Sequence, residues 1–99
     1  MAEEQKIEQK FKEQAELRGW IAPKLSCPGY NGMPDRMVLK DNGQIFFAEI
    51  KAPGELPRPI QVVRMNMLRR MGFRVYVIDS MEKAFKALKA EEDREQSEV

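Results

Sequence analysis

Residues 34–51 read PDRMVLKDNGQIFFAEIK, and this stretch predicts a β-hairpin. Asp41, Asn42 and Gly43 form a turn signal between two strands, predicted over 34–40 and 44–51, because glycine adopts a left-handed backbone readily. Glu49 and Lys51 are two residues apart on the second strand and therefore project from the same face. The hairpin thus carries charged side chains at positions where a sheet usually buries apolar ones.

The length of the turn decides which side chains face each other. A three-residue connection pairs Lys40 with Gln44 and places Asp35 opposite Glu49, whereas a two-residue loop pairs Asp35 with Ile50. Two facing carboxylates repel each other unless a cation offsets their charge. The three-residue turn would therefore create a site suited to a divalent metal.

The residues that could act at such a site define its chemistry. Asp35 and Glu49 could chelate Mg²⁺ or Mn²⁺ together with the main-chain carbonyl of Ile50, with Lys51 beside a phosphate on the same face. The chain has no histidine and one cysteine, Cys27, which excludes a His/Cys zinc site and a Ser-His or Cys-His nucleophile pair. These parts suit phosphodiester cleavage.

The rest of the sequence predicts an α/β fold in the order α-β-β-β-α-β-α, a mixed sheet flanked by helices. The first helix covers 3–17, and a ragged strand, weakened by Pro23, covers 20–25 before a Gly-rich loop at 26–33. The second helix covers 59–71, an apolar strand follows at 73–79, and Ser80 caps a last helix that ends near residue 90. The expected buried side chains of the helices are Ile7, Phe11 and Ala15; Ile60, Val63, Met67 and Met71; and Phe85 and Leu88.

Length and charge limit the classes of protein. The 99 residues are one domain by size, and no apolar run or leader pattern indicates a membrane span or secretion, so we expect a soluble, cytoplasmic protein. The net charge is +1, but residues 24–74 contain nine basic and four acidic residues. That excess favours an anionic polymer as partner, although a solvated surface explains it equally well.

The spacing of the hairpin residues resembles a known signature. Pro34-Asp35 followed, after thirteen intervening residues, by Glu49-Ile50-Lys51 is similar to the PD-(D/E)xK motif of restriction-endonuclease-like nucleases. The surroundings resemble one branch, the VRR-NUC (virus-type replication-repair nuclease) domain, in its stand-alone phage-type form. The resemblance runs from about residue 4 to 89 and includes Ile7-Glu8, SCPGYNGMPDR at 26–36, FAEIKAP at 47–53, Gln61 and VYVIDS at 75–80.

This resemblance implies a restriction-endonuclease-like core at 1–90, followed by an acidic tail at 91–99 that we expect to be disordered. It implies that Asp35 and Glu49 bind the metal with the Ile50 carbonyl, and that Lys51 is the catalytic lysine. Glu8 would reach the metal through water, and Gln61 would assist catalysis. The expected DNA-binding residues are Gly29, Tyr30, Gly32, Arg36, Lys24, Arg58 and Arg64, with Lys40, Arg69, Arg70 and Arg74 as further candidates for phosphate contacts.

Plainer roles remain open for several of these residues. Glu8 could be an ordinary helix charge, Gln61 could serve its own helix terminus, and Tyr30 could either stack on a base or lie on the surface. Cys27 is expected to be an inert thiol. Met65 lies outside the predicted apolar face and could contribute to a dimer contact.

The function that follows is an Mg²⁺- or Mn²⁺-dependent, structure-selective DNA endonuclease for DNA repair in a bacterial or phage-infected cell. Stand-alone relatives imply a homodimer that cuts four-way (Holliday) junctions, and two symmetric nicks agree with a two-fold dimer. One alternative is a monomeric nuclease for flaps or other branched DNA. A second alternative is a DNA-binding module without catalysis.

Overall fold

The computed structural model describes residues 2–97. It contains α1 (Glu3–Leu17), β1 (Arg36–Leu39), a short 3-10 turn (Asp41–Gly43), β2 (Ile45–Ile50), α2 (Pro59–Arg70), β3 (Arg74–Ile78) and α3 (Met81–Ser97). The predicted α/β class, with a mixed sheet and flanking helices, is confirmed. Within the described residues, no helix combines the length and the apolar character needed to cross a bilayer.

The sheet has β2 at its centre. β1 pairs with β2 in antiparallel fashion, and β3 pairs with β2 in parallel fashion through the crossover helix α2. The strand predicted at 20–25 is reduced to two isolated bridges, which join Ile21 to Leu39 and Lys24 to Arg36. It is ragged as expected, because Pro23 between them has no backbone N–H to donate.

The hairpin has the predicted three-residue turn. The Lys40 N–H donates to the Gln44 carbonyl at 2.9 Å, and Gly43 has a φ of +73°. Asn42 also lies in the left-handed region, at +62°, which asparagine tolerates better than most residues. The strand register pairs Arg36 with Ala48, and its continuation by one residue brings Asp35 to the position opposite Glu49.

Two apolar layers cover the sheet. Even-numbered residues of β2, such as Phe46 and Ala48, face α1 and α3. The Phe46 ring packs edge-to-face with the rings of Phe11 in α1 and of Trp20 in the segment after α1, and the ring centres are 6.4 and 6.0 Å apart. Phe47 faces the other way, toward α2. Because strand residues alternate in direction, Glu49 and Lys51 lie on the α2 face of the sheet.

The buried face of α2 differs from the prediction. Gln61, Met65 and Leu68 are buried against the sheet, whereas Val63 and Met71 are 51% and 61% exposed. Helix α2 has a second apolar stripe with Met65 and Leu68, about a third of a turn away, and helical periodicity alone does not say which stripe faces the sheet. Met65, at 3% exposure, is a core residue, so its predicted role in a dimer contact is wrong.

Helix α3 is longer than predicted. It begins with the expected cap, in which the Ser80 hydroxyl accepts the Lys83 N–H at 3.1 Å, and it continues to Ser97. The prediction of a disordered tail is therefore wrong for 91–97, while 98–99 lie outside the described residues. Leu88 is buried as expected, but Phe85 is 42% exposed because the smaller Ala84 and Ala87 occupy the packed face.

A buried ion cluster explains why the acidic end of α3 is ordered. The fully buried Glu91 carboxylate accepts hydrogen bonds from Lys40 Nζ at 3.0 Å, from Arg74 Nε and Nη2 at 2.6 and 2.8 Å, and from the Tyr76 hydroxyl at 2.6 Å. Lys40 Nζ also lies 4.8 Å from the centre of the Trp20 ring. Lys40 and Arg74 therefore bind a helix of their own chain, which removes them from the expected phosphate contacts.

The ion cluster sets the protonation state of Glu91. Burial alone would raise the pKa of this carboxyl, but the hydrogen bonds from Arg74, Tyr76 and Lys40 outweigh it and lower the pKa to about 2. Burial, and next to it the hydrogen bond to the Glu91 carboxylate, raise the pKa of Tyr76 to about 12. Glu91 is consequently ionised throughout the neutral range.

Candidate active site

Asp35 is held at the start of the hairpin by backbone contacts. Its Oδ2 accepts the Ile50 N–H at 2.7 Å, and its own carbonyl accepts the Leu25 N–H at 2.8 Å. Asp35 follows the buried Pro34, whose ring fixes φ and so restricts the backbone conformation just before the strand. The side chain is thereby fastened to β2 next to Glu49.

Glu49 is a buried carboxylate without a hydrogen-bond donor. It is 1% exposed, and among the described residues neither of its side-chain oxygens has a hydrogen-bond partner. Burial first, and the neighbouring Asp35 carboxylate second, raise the pKa of Glu49 to about 8, against the opposing effect of the Lys51 ammonium. The ionised form of a carboxylate buried in this way lowers the stability of the fold, and a bound cation would offset that loss.

Lys51 lies beside Glu49 on the same face. Its Nζ is 3.9 Å from Glu49 Oε2 and 3.6 Å from Glu55 Oε1, and its backbone N–H donates to Ile78 at 2.9 Å. The loop that follows is pinned because the Gly54 N–H donates to Asp79 Oδ2 at 3.1 Å. The lysine therefore sits between a buried carboxylate and an exposed one.

Sequence reasoning missed Glu55 and Asp79. The signal for Glu55 is its position four residues after Lys51, within reach across a turn. Asp79 immediately follows β3, and only the parallel pairing of β3 with β2 brings it next to the loop after Lys51. Its ion pair with Lys83 and its hydrogen bond from Gly54 lower the pKa of Asp79.

Glu8 forms ion pairs with two basic side chains and does not contact Asp35 or Glu49 among the described residues. Its Oε2 accepts a hydrogen bond from Arg36 Nε at 2.9 Å, forms an ion pair with Arg36 Nη2 at 2.8 Å and lies 3.8 Å from Lys24 Nζ. Among residues 2–97, no three acidic or cysteine side chains come close enough together to hold a metal. The water-mediated metal contact of Glu8 stays a prediction, and Arg36 is tied to α1, with its side chain only 13% exposed.

Gln61 is buried at the first turn of α2. Its Oε1 accepts the Arg58 N–H at 2.7 Å, which satisfies a backbone donor at the helix terminus. The structure thus assigns it the local role that the sequence left open. Its predicted part in catalysis is untested.

The Gly-rich loop packs tightly onto the start of α2. Gly32 has a φ of +84°, and a Cβ atom there would lie 2.7 Å from the Ile60 carbonyl oxygen, so this position requires glycine for both conformation and space. Arg64 Nε donates to the Asn31 carbonyl at 2.8 Å, and the Arg64 guanidinium lies 5.4 Å from the centre of the Tyr30 ring. Two of the predicted DNA-binding residues, Tyr30 and Arg64, are therefore in contact.

The other predicted DNA contacts are more dispersed. Gly29 has a φ of +85° with open space around it, and Arg58 is exposed at the start of α2. The Lys24 side chain is 72% exposed beside Glu8. Among the described residues, none of these positions forms a hydrogen bond or ion pair with Asp35 or Glu49.

An apolar groove separates the loop from α2, and we call it the α2 groove. Its volume is about 270 Å³. The loop wall consists of Cys27, Tyr30 and Met33, and the helix wall consists of Arg64, Met67, Leu68 and Met71. Tyr30 is 60% exposed at its rim.

Known proteins are similar to this chain in sequence and in fold. No family profile matches the chain. "Putative nuclease p44" of Acyrthosiphon pisum secondary endosymbiont phage 1 is 42% identical over 79 residues, which cover 80% of this chain and 85% of that protein. A solved structure described as "VRR_NUC domain" superposes with a TM-score of 0.85 at 30% identity, over 90% of this chain and 97% of that one.

Together, the fold and these likenesses define the class of protein as a nuclease. The two matches cover 80% and 90% of this chain, so the likeness is not confined to one motif. The chain belongs to the VRR-NUC family.

Proposed function

We propose that this nuclease is an Mg²⁺- or Mn²⁺-dependent endonuclease that hydrolyses phosphodiester bonds in branched DNA. The observation that carries the proposal is Glu49, a buried carboxylate next to Asp35 and within 3.9 Å of Lys51, whose two oxygens receive no hydrogen bond from the described residues. A structural role would leave this carboxylate hydrogen-bonded, as it leaves Glu91. A cation-binding role accounts for the missing hydrogen bonds.

The residues fit a hard divalent cation. Mg²⁺ is commonly held by one or two carboxylates while it keeps waters and accepts substrate phosphate oxygens, so Asp35, Glu49 and the Ile50 carbonyl suffice without a third acidic residue. When bound, the ion would supply a Lewis acid for the phosphate and lower the pKa of water. Ligands made only of oxygen atoms favour Mg²⁺ or Mn²⁺ over softer metals.

The chain's own side chains would do the remaining work. Lys51 carries the positive charge nearest to Glu49, and we assign it to stabilise the charge that develops on the phosphate during in-line attack by water. The Ile50 N–H holds the Asp35 carboxylate in one orientation. Asp79 fastens the loop after Lys51 and so limits where the ammonium can move.

Four-way junctions are the proposed substrate, cut by a homodimer. One active site makes one nick, and resolution of a junction needs two nicks related by approximate two-fold symmetry. Selectivity for a branch does not require that base edges are read. Specificity would then come from backbone contacts and DNA shape.

Cleavage of labelled four-way junction, flap, splayed and plain duplex DNA, each with Mg²⁺, Mn²⁺ or EDTA, tests the proposal. Glu49→Gln and Lys51→Ala should each lower the rate about 10²- to 10³-fold, while Glu82→Gln, on the exposed face of α3, should not. Symmetric, metal-dependent junction nicks would support the proposal. Preferential flap cleavage by a monomer would transfer the function to flaps, and metal-independent cleavage would refute the assigned site.

A further inference from the structure

We propose that the α2 groove binds a single nucleobase that the DNA substrate extrudes at its branch point. This inference rests on the proposed function, because it names the feature of branched DNA that the protein recognises. It assigns a ligand to Tyr30, Met67 and Met71, which take no part in the hairpin site.

The chemistry of the groove suits a base rather than a phosphate. Its surface is lined by methionine and leucine side chains, and thioethers pack favourably against aromatic rings. A volume of about 270 Å³ is small for a drug-sized ligand, and it matches one planar ring system. Tyr30 at the rim offers a face for stacking, and Arg64 lies against that ring.

The charge around the groove favours nucleic acid over a second protein chain. Neither of the segments that supply its walls, 17–34 and 56–78, contains an aspartate or glutamate, and both contain lysine or arginine. A two-fold interface between copies would bring the same Arg64-bearing wall against itself, without a carboxylate to offset it. DNA supplies the missing negative charge with its phosphates.

The location of the groove connects it to the proposed active site. Met33, in the loop wall, is two residues before Asp35, and Gly32 packs on Ile60 at the start of α2. The groove and the Glu49 carboxylate both lie on the α2 face of the sheet. DNA whose phosphate reaches Asp35 and Glu49 can therefore place a nearby base in the groove.

A base extruded at the branch point gives selectivity for branched DNA at low energetic cost. Removing a base from a continuous duplex stack costs a few kcal/mol, and less where the branch already disrupts the stack. A groove that binds an extruded base therefore favours the binding of branch points over the binding of plain duplex. Selectivity arises without any hydrogen bond to a base edge.

The test is binding of four-way junction DNA that carries 2-aminopurine at the base next to the branch point, in EDTA so that no cleavage occurs. Tyr30→Ala should raise the Kd for branched DNA about 10-fold and leave the Kd for plain duplex unchanged, because stacking on an aromatic side chain contributes about this much per base. Tyr30→Phe should bind like wild type. Phe85→Ala, which removes an exposed aromatic from α3, is the matched control.

The 2-aminopurine fluorescence should change on binding to wild type and to Phe85→Ala, and should not change with Tyr30→Ala. Equal weakening for branched and duplex DNA would overturn the proposal, since Tyr30 would then act on the backbone alone. Sedimentation that shows Tyr30→Ala or Met71→Glu separating a dimer into monomers would also overturn it. Because this readout needs no metal, failure of cleavage and failure of base binding are distinguishable.

Discussion

Replacement of Glu91 by glutamine tests the buried ion cluster. Glutamine keeps the size of the side chain but removes its charge, so Lys40 and Arg74 lose their buried counter-ion. Breaking a buried ion pair by removing one partner costs about 3–5 kcal/mol. The drop in the Glu91 pKa from 4.5 to about 2 independently corresponds to about 3 kcal/mol.

The loss should be visible as a lower melting temperature. For a domain of this size, about 1 kcal/mol shifts the Tm by about 4–8 °C, so Glu91→Gln should lower it by at least about 12 °C at pH 7. Glu82→Gln, the same change at a side chain that is 76% exposed on the same helix, should cost less than about 1 kcal/mol. Thermal and urea unfolding followed by circular dichroism measure both.

The pH dependence of this loss carries a definite sign. A carboxyl whose pKa is lower in the folded state contributes stability above its unfolded pKa and loses it as the pH falls toward the folded value. The difference in unfolding free energy between wild type and Glu91→Gln should therefore be constant from pH 8 to 6 and shrink from about pH 4.5 downward. A difference below about 1 kcal/mol at pH 7, or one that grows in acid, would refute the reasoning.

Three further predictions concern the loop, the metal and helix α3. Gly32→Ala should lower the free energy of unfolding by about 1–3 kcal/mol more than Gly29→Ala does. Both glycines have a left-handed φ, but only a Cβ atom at Gly32 would meet the Ile60 carbonyl. Equal losses in urea unfolding would show that this contact is unimportant. Mg²⁺ at about 100 times its Kd should stabilise wild type by about 2.7 kcal/mol and Glu49→Gln much less, whereas an equal rise in Tm would place the ion elsewhere. A chain ending at residue 90 should lose its cooperative melt, and one ending at 97 should keep it; similar melts would mean that 91–97 contribute little.

Local patterns predicted the parts of the fold that depend on neighbouring residues. The turn at 41–43 fixed the register of the hairpin, and the register placed Asp35 opposite Glu49. The first helix has the predicted bounds, and Ile7, Phe11 and Ala15 are its buried residues. These features follow from turn geometry and helical period, which a sequence displays directly.

The wrong predictions concern features that depend on contacts between residues far apart in the sequence. The acidic composition of 91–97 favours disorder, yet Glu91 finds Lys40 at a separation of 51 residues. One signal was available, since Ala84, Leu88 and Glu91 share the helical face that packs inward. For α2, two apolar stripes compete, and only the sheet decides that Gln61, Met65 and Leu68 are buried.

The candidate site was predictable in part. The spacing of Asp35, Glu49 and Lys51 can be taken from the strands, but the lack of hydrogen-bond donors around Glu49 appears only in three dimensions. The sequence also could not reveal that Glu8 pairs with Arg36, because that contact joins α1 to β1 across 28 residues. Such contacts depend on how helices pack on the sheet.

The attachment of α3 to the hairpin has a consequence for synthesis on the ribosome. Lys40 and Arg74 are translated before Glu91, so a nascent chain holds the whole hairpin site while these two cations still lack their buried counter-ion. The sheet can be completed in its stable form only after the Glu91 region has left the exit tunnel. A fragment released earlier would contain Asp35, Glu49 and Lys51 but would lack the buried ion cluster that joins α3 to the sheet.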